Sequence, residues 1–218
     1  MIFFFADNHY EARPGAALNE ALAGSFDIAF HEDDLSALTS SAFAENCELL
    51  ILNLISGTGK GDLPGAEIEQ AVKHYLERGG SLLLLHGASA AFWHWDWWRQ
   101  LVGYRWVRGN DPDGVAASWH PTRPYRVEIA KSRHPLCQKL EAMDLPADEI
   151  YVSLEQVCPA ITILETKTDE GTFPQCWENA TPWGGRVIGF LPGHCKEVAG
   201  GKAVAANVSV LIRDLLAK

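Results

Sequence analysis

The chain has 218 residues, 47% of them apolar and 21% charged, an ordinary globular mix that excludes disordered, collagen-like and coiled-coil classes. A chain of this length reads as one domain spanning residues 1–218 and buries enough surface to need no staples. Its net charge of −10 argues against nucleic acid and anionic membranes as partners, because both require a basic face.

The N-terminus, MIFFFADNHYEA, holds an apolar run too short and too unflanked for a signal peptide, so Ile2–Ala6 reads as a buried strand. Residues 14–23 form a helix with Pro14 in its first turn. A second strand follows at 26–30. Asp33 or Asp34 can cap a helix over 35–44. The run ELLILNL at 48–54 is a third strand. Over 64–78, Ile68, Ala71, Val72 and Tyr75 share one helical face, and Gly79-Gly80 ends that helix. SLLLL at 81–85 is a fourth strand, apolar throughout. Strands without polar alternation, separated by helices, predict a parallel sheet covered on both faces.

The second half changes character. Eight tryptophans are present, and five of them (Trp93, Trp95, Trp97, Trp98, Trp106) crowd into 93–106. An aromatic helix over 90–101 would leave Trp95 or Trp98 near the surface, as a stacking platform for a sugar or as a homodimer contact. Short runs at 125–130, 150–154 and 161–165 read as added strands. Residues 185–191 form a further buried strand and 203–216 a closing helix. No run reaches the length of a membrane span. Five widely spaced cysteines (Cys47, Cys137, Cys158, Cys176, Cys195) lack C-x-x-C pairs, so reduced thiols in the cytoplasm are the simplest expectation.

Ligands of open α/β sheets bind beyond the carboxyl ends of the strands. That rule singles out Asn8 and His9 after strand one, residues 55–61 after strand three, His86 and Ser89 after strand four, and His194 after the late strand. The glycine cluster at 57–61 is not a phosphate loop. Leu54 stands where its first glycine belongs and Gly61 where Ser or Thr must follow Lys60. No nucleotide cofactor is therefore expected. His86 and His194 can act as metal ligands or as acid and base, while Ser89 can cap a helix or sit at a nucleophile elbow. His120 is a further candidate ligand. The pair Asp148-Glu149 offers carboxylates, although adjacent residues rarely face one site together.

The segments GGSLLLLHGAS, LVGYRW, RHPLCQKL, LPADEIY and FPQCWENATPWGGRVIGFLPGH occur in this order over about residues 48–200. As a set they resemble the ThuA-like family, named for trehalose utilisation. The resemblance implies a flavodoxin-like three-layer sandwich of the class I glutamine-amidotransferase-like superfamily, with a mostly parallel central sheet and added strands in the second half. It implies a role in carbohydrate metabolism, on a disaccharide such as trehalose or its 3-keto derivative. No cysteine occupies the elbow around His86–Ser89, so glutamine hydrolysis is not expected. By motif, the resemblance carries over His86, His134, Asp148, Glu149, Tyr151, Trp177, Arg186 and His194, with Asn8-His9 a weaker match.

The resulting expectation is an enzyme on a small sugar substrate. His86, Glu149, His194 and Asp148 carry the chemistry, and Trp95, Trp98, Tyr151, Trp177, Asn8 and His9 hold substrate. His86, His120 and His194 bind a divalent metal, with zinc favoured by mixed nitrogen and oxygen ligation. The alternative is a non-catalytic sugar-binding or regulatory module on the same fold, for which His86, Glu149 and His194 would lie more than about 10 Å apart.

Overall fold

A computed structural model describes residues 1–9, 11–56 and 63–217. The glycine cluster at 57–61, including Lys60, lies outside these residues. In the first half, β1 (Ile2–Ala6), α1 (Pro14–Ala21), β2 (Ile28–Glu32), α2 (Ser41–Asn46), β3 (Leu49–Asn53), α3 (Ala66–Glu77) and β4 (Leu82–Leu85) alternate in the expected order. The second half contains α4 (Asp96–Arg99), β5 (Tyr104–Arg105), β6 (Thr122–Ile129), β7 (Met143–Glu149), β8 (Glu155–Gln156), β9 (Ile161–Thr168), β10 (Gly171–Ala180), β11 (Arg186–Phe190), α5 (Lys196–Ala199) and α6 (Lys202–Leu216).

Among the described residues, nine strands form one sheet in the order β2-β1-β3-β4-β11-β10-β9-β6-β7. The first five run parallel, and the remaining four join antiparallel beside β11. Strand alternation explains the three layers. Ile2, Phe4, Leu49, Ile51, Leu83 and Leu85 face a core built with α1 and α6. Phe3, Phe5, Leu50, Leu52, Leu82 and Leu84 face a second core built with α2 and α3. Every strand that feeds both cores must be apolar on both faces, and that requirement produces the uninterrupted runs in the sequence. No helix among the described residues is long and apolar enough to cross a membrane, and all five cysteines are free.

Three local expectations need correction. The helix expected over 35–44 is a 3₁₀ turn at Ser36–Thr39 followed by α2. Its cap is the Ser40 hydroxyl, which accepts the Phe43 N–H at 3.1 Å; Asp34 instead accepts the N–H of Ser36. The aromatic helix expected over 90–101 shrinks to the four residues of α4, because Phe92 adopts φ +52° and breaks any continuous turn. The strand expected at 150–154 is absent, since β7 ends at Glu149. The long β10, by contrast, carries Gly171 and Pro174. Pairing register shifts beside Pro174, which lets a sheet interior tolerate a residue with no N–H to donate.

Candidate active site

Four parallel strands deliver their carboxyl ends to one place. Asp7, Asn8 and His9 follow β1, Ile55 follows β3, His86 follows β4, and Gly193-His194 follow β11. His86 is the first residue of a 3₁₀ turn (His86–Ala90) and has φ +48°. A sharp strand-to-helix turn with a left-handed first residue is the geometry of a nucleophile elbow, and here the residue displayed on it is an imidazole. Gly87 makes the turn possible: a Cβ there would meet Ile55 Cγ2 at 2.2 Å.

The imidazoles of His9, His86 and His194 converge. Each offers one nitrogen, and the three atoms lie within 4.8 Å of one another. His194 Nδ1 is 3.1 Å from His9 Nε2 and 3.2 Å from His86 Nε2. His86 Nδ1 lies 3.0 Å from the Leu191 carbonyl, which can only accept. In the neutral ring the proton therefore sits on Nδ1, and the Nε2 lone pair points into the cluster. Tyr151 lies with its hydroxyl 3.0 Å from that same Nε2. Burial, and then the charge of Glu149 nearby, hold the Tyr151 phenol well above its ordinary range, so it remains a proton donor.

Glu149 completes the group. Its carboxylate oxygens lie 3.4 Å from His86 Nε2, 3.3 Å from His194 Nδ1 and 3.2 Å from His120 Nδ1. Burial alone would raise its pKa, but the adjacent imidazoles, His86 first and then His194 and His120, bring it below the usual carboxylate value. Burial is the largest cause that lowers His194 to about 4, with the His86 ring next and Glu149 opposing. At neutral pH the site thus presents an ionised carboxylate and a neutral His194 side by side. Nδ1 of His194 can donate to only one neighbour at a time, so lone pairs outnumber protons. That acceptor-rich donor set fits a divalent cation. The carbonyl behind His86 is the kind of partner that orients a metal-ligating imidazole.

The expected ligand set changes by one member. His9 takes the place given to His120, which is 39% exposed and faces Glu149. Asp148 also departs from expectation. Its two oxygens accept the N–H groups of Gly193 and His194 at 2.8 and 2.9 Å, so it holds the loop that carries His194. Asp148 is thus committed to backbone N–H groups, while Glu149 faces the imidazoles. Asn8 hydrogen-bonds Asp33 and ties the loop after β1 to the end of β2.

The expected tryptophan platforms are interior. Trp95 and Trp98 are 3% and 0% exposed and pack in the α3-side core. Trp177 is fully buried, donates its indole N–H to the Val102 carbonyl, and lies over Gly189, where a Cβ would meet the ring at 2.2 Å. A short α4 turns these rings inward, whereas a continuous helix would have divided them between core and surface. Trp106 is the tryptophan at the cluster, half-buried, with its ring centroid 4.5 Å from that of Tyr151 and 5.5 Å from that of His120. Sequence spacing gave no reason to separate it from its neighbours. Asp7, which accepts the Ile55 N–H at 2.8 Å and lies 3.7 Å from His9 Nδ1, also escaped notice; its position directly after β1 was the available signal.

A family model for trehalose utilisation, ThuA, matches residues 2–208. The chain belongs to the ThuA family. Among solved structures it is similar to a ThuA-like protein from Parabacteroides merdae, with a TM-score of 0.78 and 16% identity over 99% of this chain and 89% of that one. A ThuA-like protein from Bacteroides uniformis gives 0.70 and 17% over 100% and 92%. A beta-galactosidase from Rahnella sp. R3 shares the fold at a TM-score of 0.56 and 10% identity, over 100% of this chain and 31% of that one. No curated protein sequence matches the chain. ThuA membership suggests a role in sugar metabolism.

The remaining motif residues of this ThuA chain assemble elsewhere. Arg186, at the start of β11, forks onto Glu178 with contacts of 2.8 and 2.7 Å and also reaches Asp214 at 2.7 Å. His134 accepts the Leu136 N–H as a cap and lies with its Nε2 3.3 Å from Glu178. These groups pair with one another at the opposite end of β11.

Proposed function

We propose that this chain is an enzyme of sugar metabolism that acts on a disaccharide such as trehalose or its 3-keto derivative by acid–base chemistry at Glu149. The observation that carries the reading is the Glu149 carboxylate, 3.2–3.4 Å from nitrogens of His86, His194 and His120 at the strand ends. Catalytic acids and bases must reach one substrate, and groups this close do so. The same closeness favours an enzyme over a binding module.

Glu149 is the base that removes the proton alpha to the carbonyl of a keto-sugar. The electron pair left behind forms the new carbon–carbon double bond as the glycosidic carbon–oxygen bond breaks. The departing oxygen takes its proton from the Tyr151 hydroxyl, which burial keeps protonated. His9, His86 and His194 would hold a divalent ion, for which zinc has the matching nitrogen preference. When bound, such an ion supplies Lewis-acid polarisation of a carbonyl or hydroxyl oxygen. Asp148 fixes the approach of His194 through two backbone hydrogen bonds. The third possibility, hydrolysis by Ser89, finds no support, because its buried Oγ has no hydrogen-bond partner among the described residues and an activated serine needs a base in reach.

The test is turnover of trehalose and 3-ketotrehalose, with metal content measured by elemental analysis, in the parent and in His86→Ala, His194→Ala and Glu149→Gln. Loss of turnover in Glu149→Gln with metal retained supports the assignment. Parental turnover in all three variants sinks it.

A further inference from the structure

Two buried polar atoms near the cluster have no use in the chemistry above. Ser89 is 3% exposed, and neither its Oγ nor the indole Nε1 of Trp93 meets a hydrogen-bond partner among the described residues. Both side chains line one small, partly open cavity of about 10 Å³, and Trp106 lines it too. Each unsatisfied buried polar atom costs about 1–3 kcal/mol, so two around one cavity call for a common partner. The space suits a single hydroxyl-sized group. An indole N–H can only donate, while a serine hydroxyl donates or accepts. An alcohol oxygen accepting from Trp93 and sharing a hydrogen bond with Ser89 satisfies both.

The cavity belongs spatially to the cluster. Ser89 sits on the same 3₁₀ turn as His86. Trp106 borders the cavity and also touches the rings of Tyr151 and His120, so one indole links the notch to the groups around Glu149. Trp93 is held in place by the Arg108 guanidinium, 5.2 Å over its ring. A flat, half-buried indole beside a notch with hydrogen-bonding walls is the arrangement that binds a pyranose, whose apolar face stacks on the ring while a hydroxyl at its edge enters the notch.

We propose that Trp106 is the sugar-stacking wall of the site and that Ser89 and Trp93 hold one hydroxyl of the sugar. The assignment rests on the sugar reading above and deepens it. The residues act in recognition and touch no reacting atom, so their loss weakens binding more than it slows chemistry. Trp119, 47% exposed, has no part in the wall and serves as the comparison residue.

Binding of trehalose is measured by calorimetry in Glu149→Gln protein, where turnover does not interfere, and KM and kcat are measured with Glu149 intact. Trp106→Leu weakens binding about tenfold, the equivalent of one aromatic stacking contact, and Trp106→Phe restores most of it. Trp119→Leu stays within about twofold. Ser89→Ala and Trp93→Phe each weaken binding about tenfold, while Ser89→Ala leaves the thermal midpoint unchanged or higher, because it removes an unsatisfied buried atom. Among singly deoxygenated trehaloses, one binds about tenfold worse than trehalose to the parent yet equally well to Ser89→Ala. Trehalose that binds the parent and every variant alike overturns the wall, and no position-specific loss in the deoxy series leaves the notch to an ordered water only and overturns its role. Failure of trehalose and its keto form to bind the parent overturns the sugar reading itself. Unimpaired turnover in Glu149→Gln overturns the catalytic assignment without touching the wall.

Discussion

Strand β11 carries a charged cluster at each end, and the two clusters are built on opposite principles. At its amino end Arg186 is matched by Glu178 and Asp214, Lys139 also reaches Asp214, and His134 closes on Glu178. Every charge has an opposite charge in contact. At its carboxyl end three imidazoles face one another and Glu149, with no arginine or lysine paired to that carboxylate among the described residues. The first arrangement stores stability. The second leaves lone pairs and a carboxylate in a partly dry pocket, which is what proton transfer or cation binding needs.

The largest effect that separates the two ends is on turnover. Glu149→Gln keeps the shape of the site and removes the base, so kcat falls about 10²–10⁴-fold. Glu178→Gln, at the other end, leaves kcat within about twofold. Steady-state kinetics on the two variants decide the matter, and equal losses would erase the distinction.

Metal affinity comes next. One equivalent of divalent ion is expected per chain. Replacing partners behind a ligand costs about 10–100-fold in affinity, so removing a ligand in His86→Ala costs more than about 100-fold. His134→Ala, despite changing the same residue type in a family motif, leaves affinity unchanged. Competition with a chromophoric chelator reads both. A parental affinity in His86→Ala would mean that the cluster is not a metal site.

The contrast also shows what was legible beforehand. Continuous apolar strands betrayed the parallel half of the sheet, because burial on both faces forbids polar alternation. His86, His194 and Glu149 could be singled out because strand ends and short motifs marked them. His9 was the weaker signal, since its place depends on a left-handed φ of +48° that its position in the sequence does not announce. The tryptophans misled for a physical reason: spacing gives a helical face only if a helix exists, and the turn at Phe92 sends Trp95 and Trp98 into the core. His134 and Arg186 were equally conspicuous in sequence as His86, yet only the tertiary structure reveals that both are already engaged by Glu178. β10 escaped because its glycine and proline resemble punctuation until the bulge beside Pro174 is seen.

Stability sharpens the comparison from the other side. Arg186→Leu strands Glu178 and Asp214, both largely buried. Removing one partner of a fully buried pair costs about 3–5 kcal/mol. Arg186 is about a third exposed, so about 2 kcal/mol is the expected loss, or about 4–8 °C in thermal midpoint for a chain of this size. Calorimetric scans on Arg186→Leu and His194→Asn in chelator test it. A larger drop in the latter would make the imidazole cluster the structural one.

Acid titration gives the smallest effect and places the two ends in different pH windows. In metal-stripped protein His194 titrates near 4 when folded and about 6.5 when unfolded. Between these values the unfolded chain binds the extra proton, so this group's contribution to stability falls as pH drops from about 6.5 to about 4 and then levels off. Asp214 behaves in the same sense, but in a lower pH window. Burial works against its ionisation, but the contacts from Lys139 and Arg186 outweigh it and leave its pKa below the ordinary 3.8. Its stabilisation is full above the unfolded value and is lost only as pH falls through the lower folded one. Stabilities from urea titration between pH 8 and 2 therefore show two separable declines, the upper of about 1–2 kcal/mol once the partial exposure of His194 is allowed for. His194→Asn flattens the upper decline and Asp214→Asn the lower. If His194→Asn leaves the upper window unchanged, the neutral imidazole is not what the folded cluster selects, and the two ends of β11 differ less than their geometry implies.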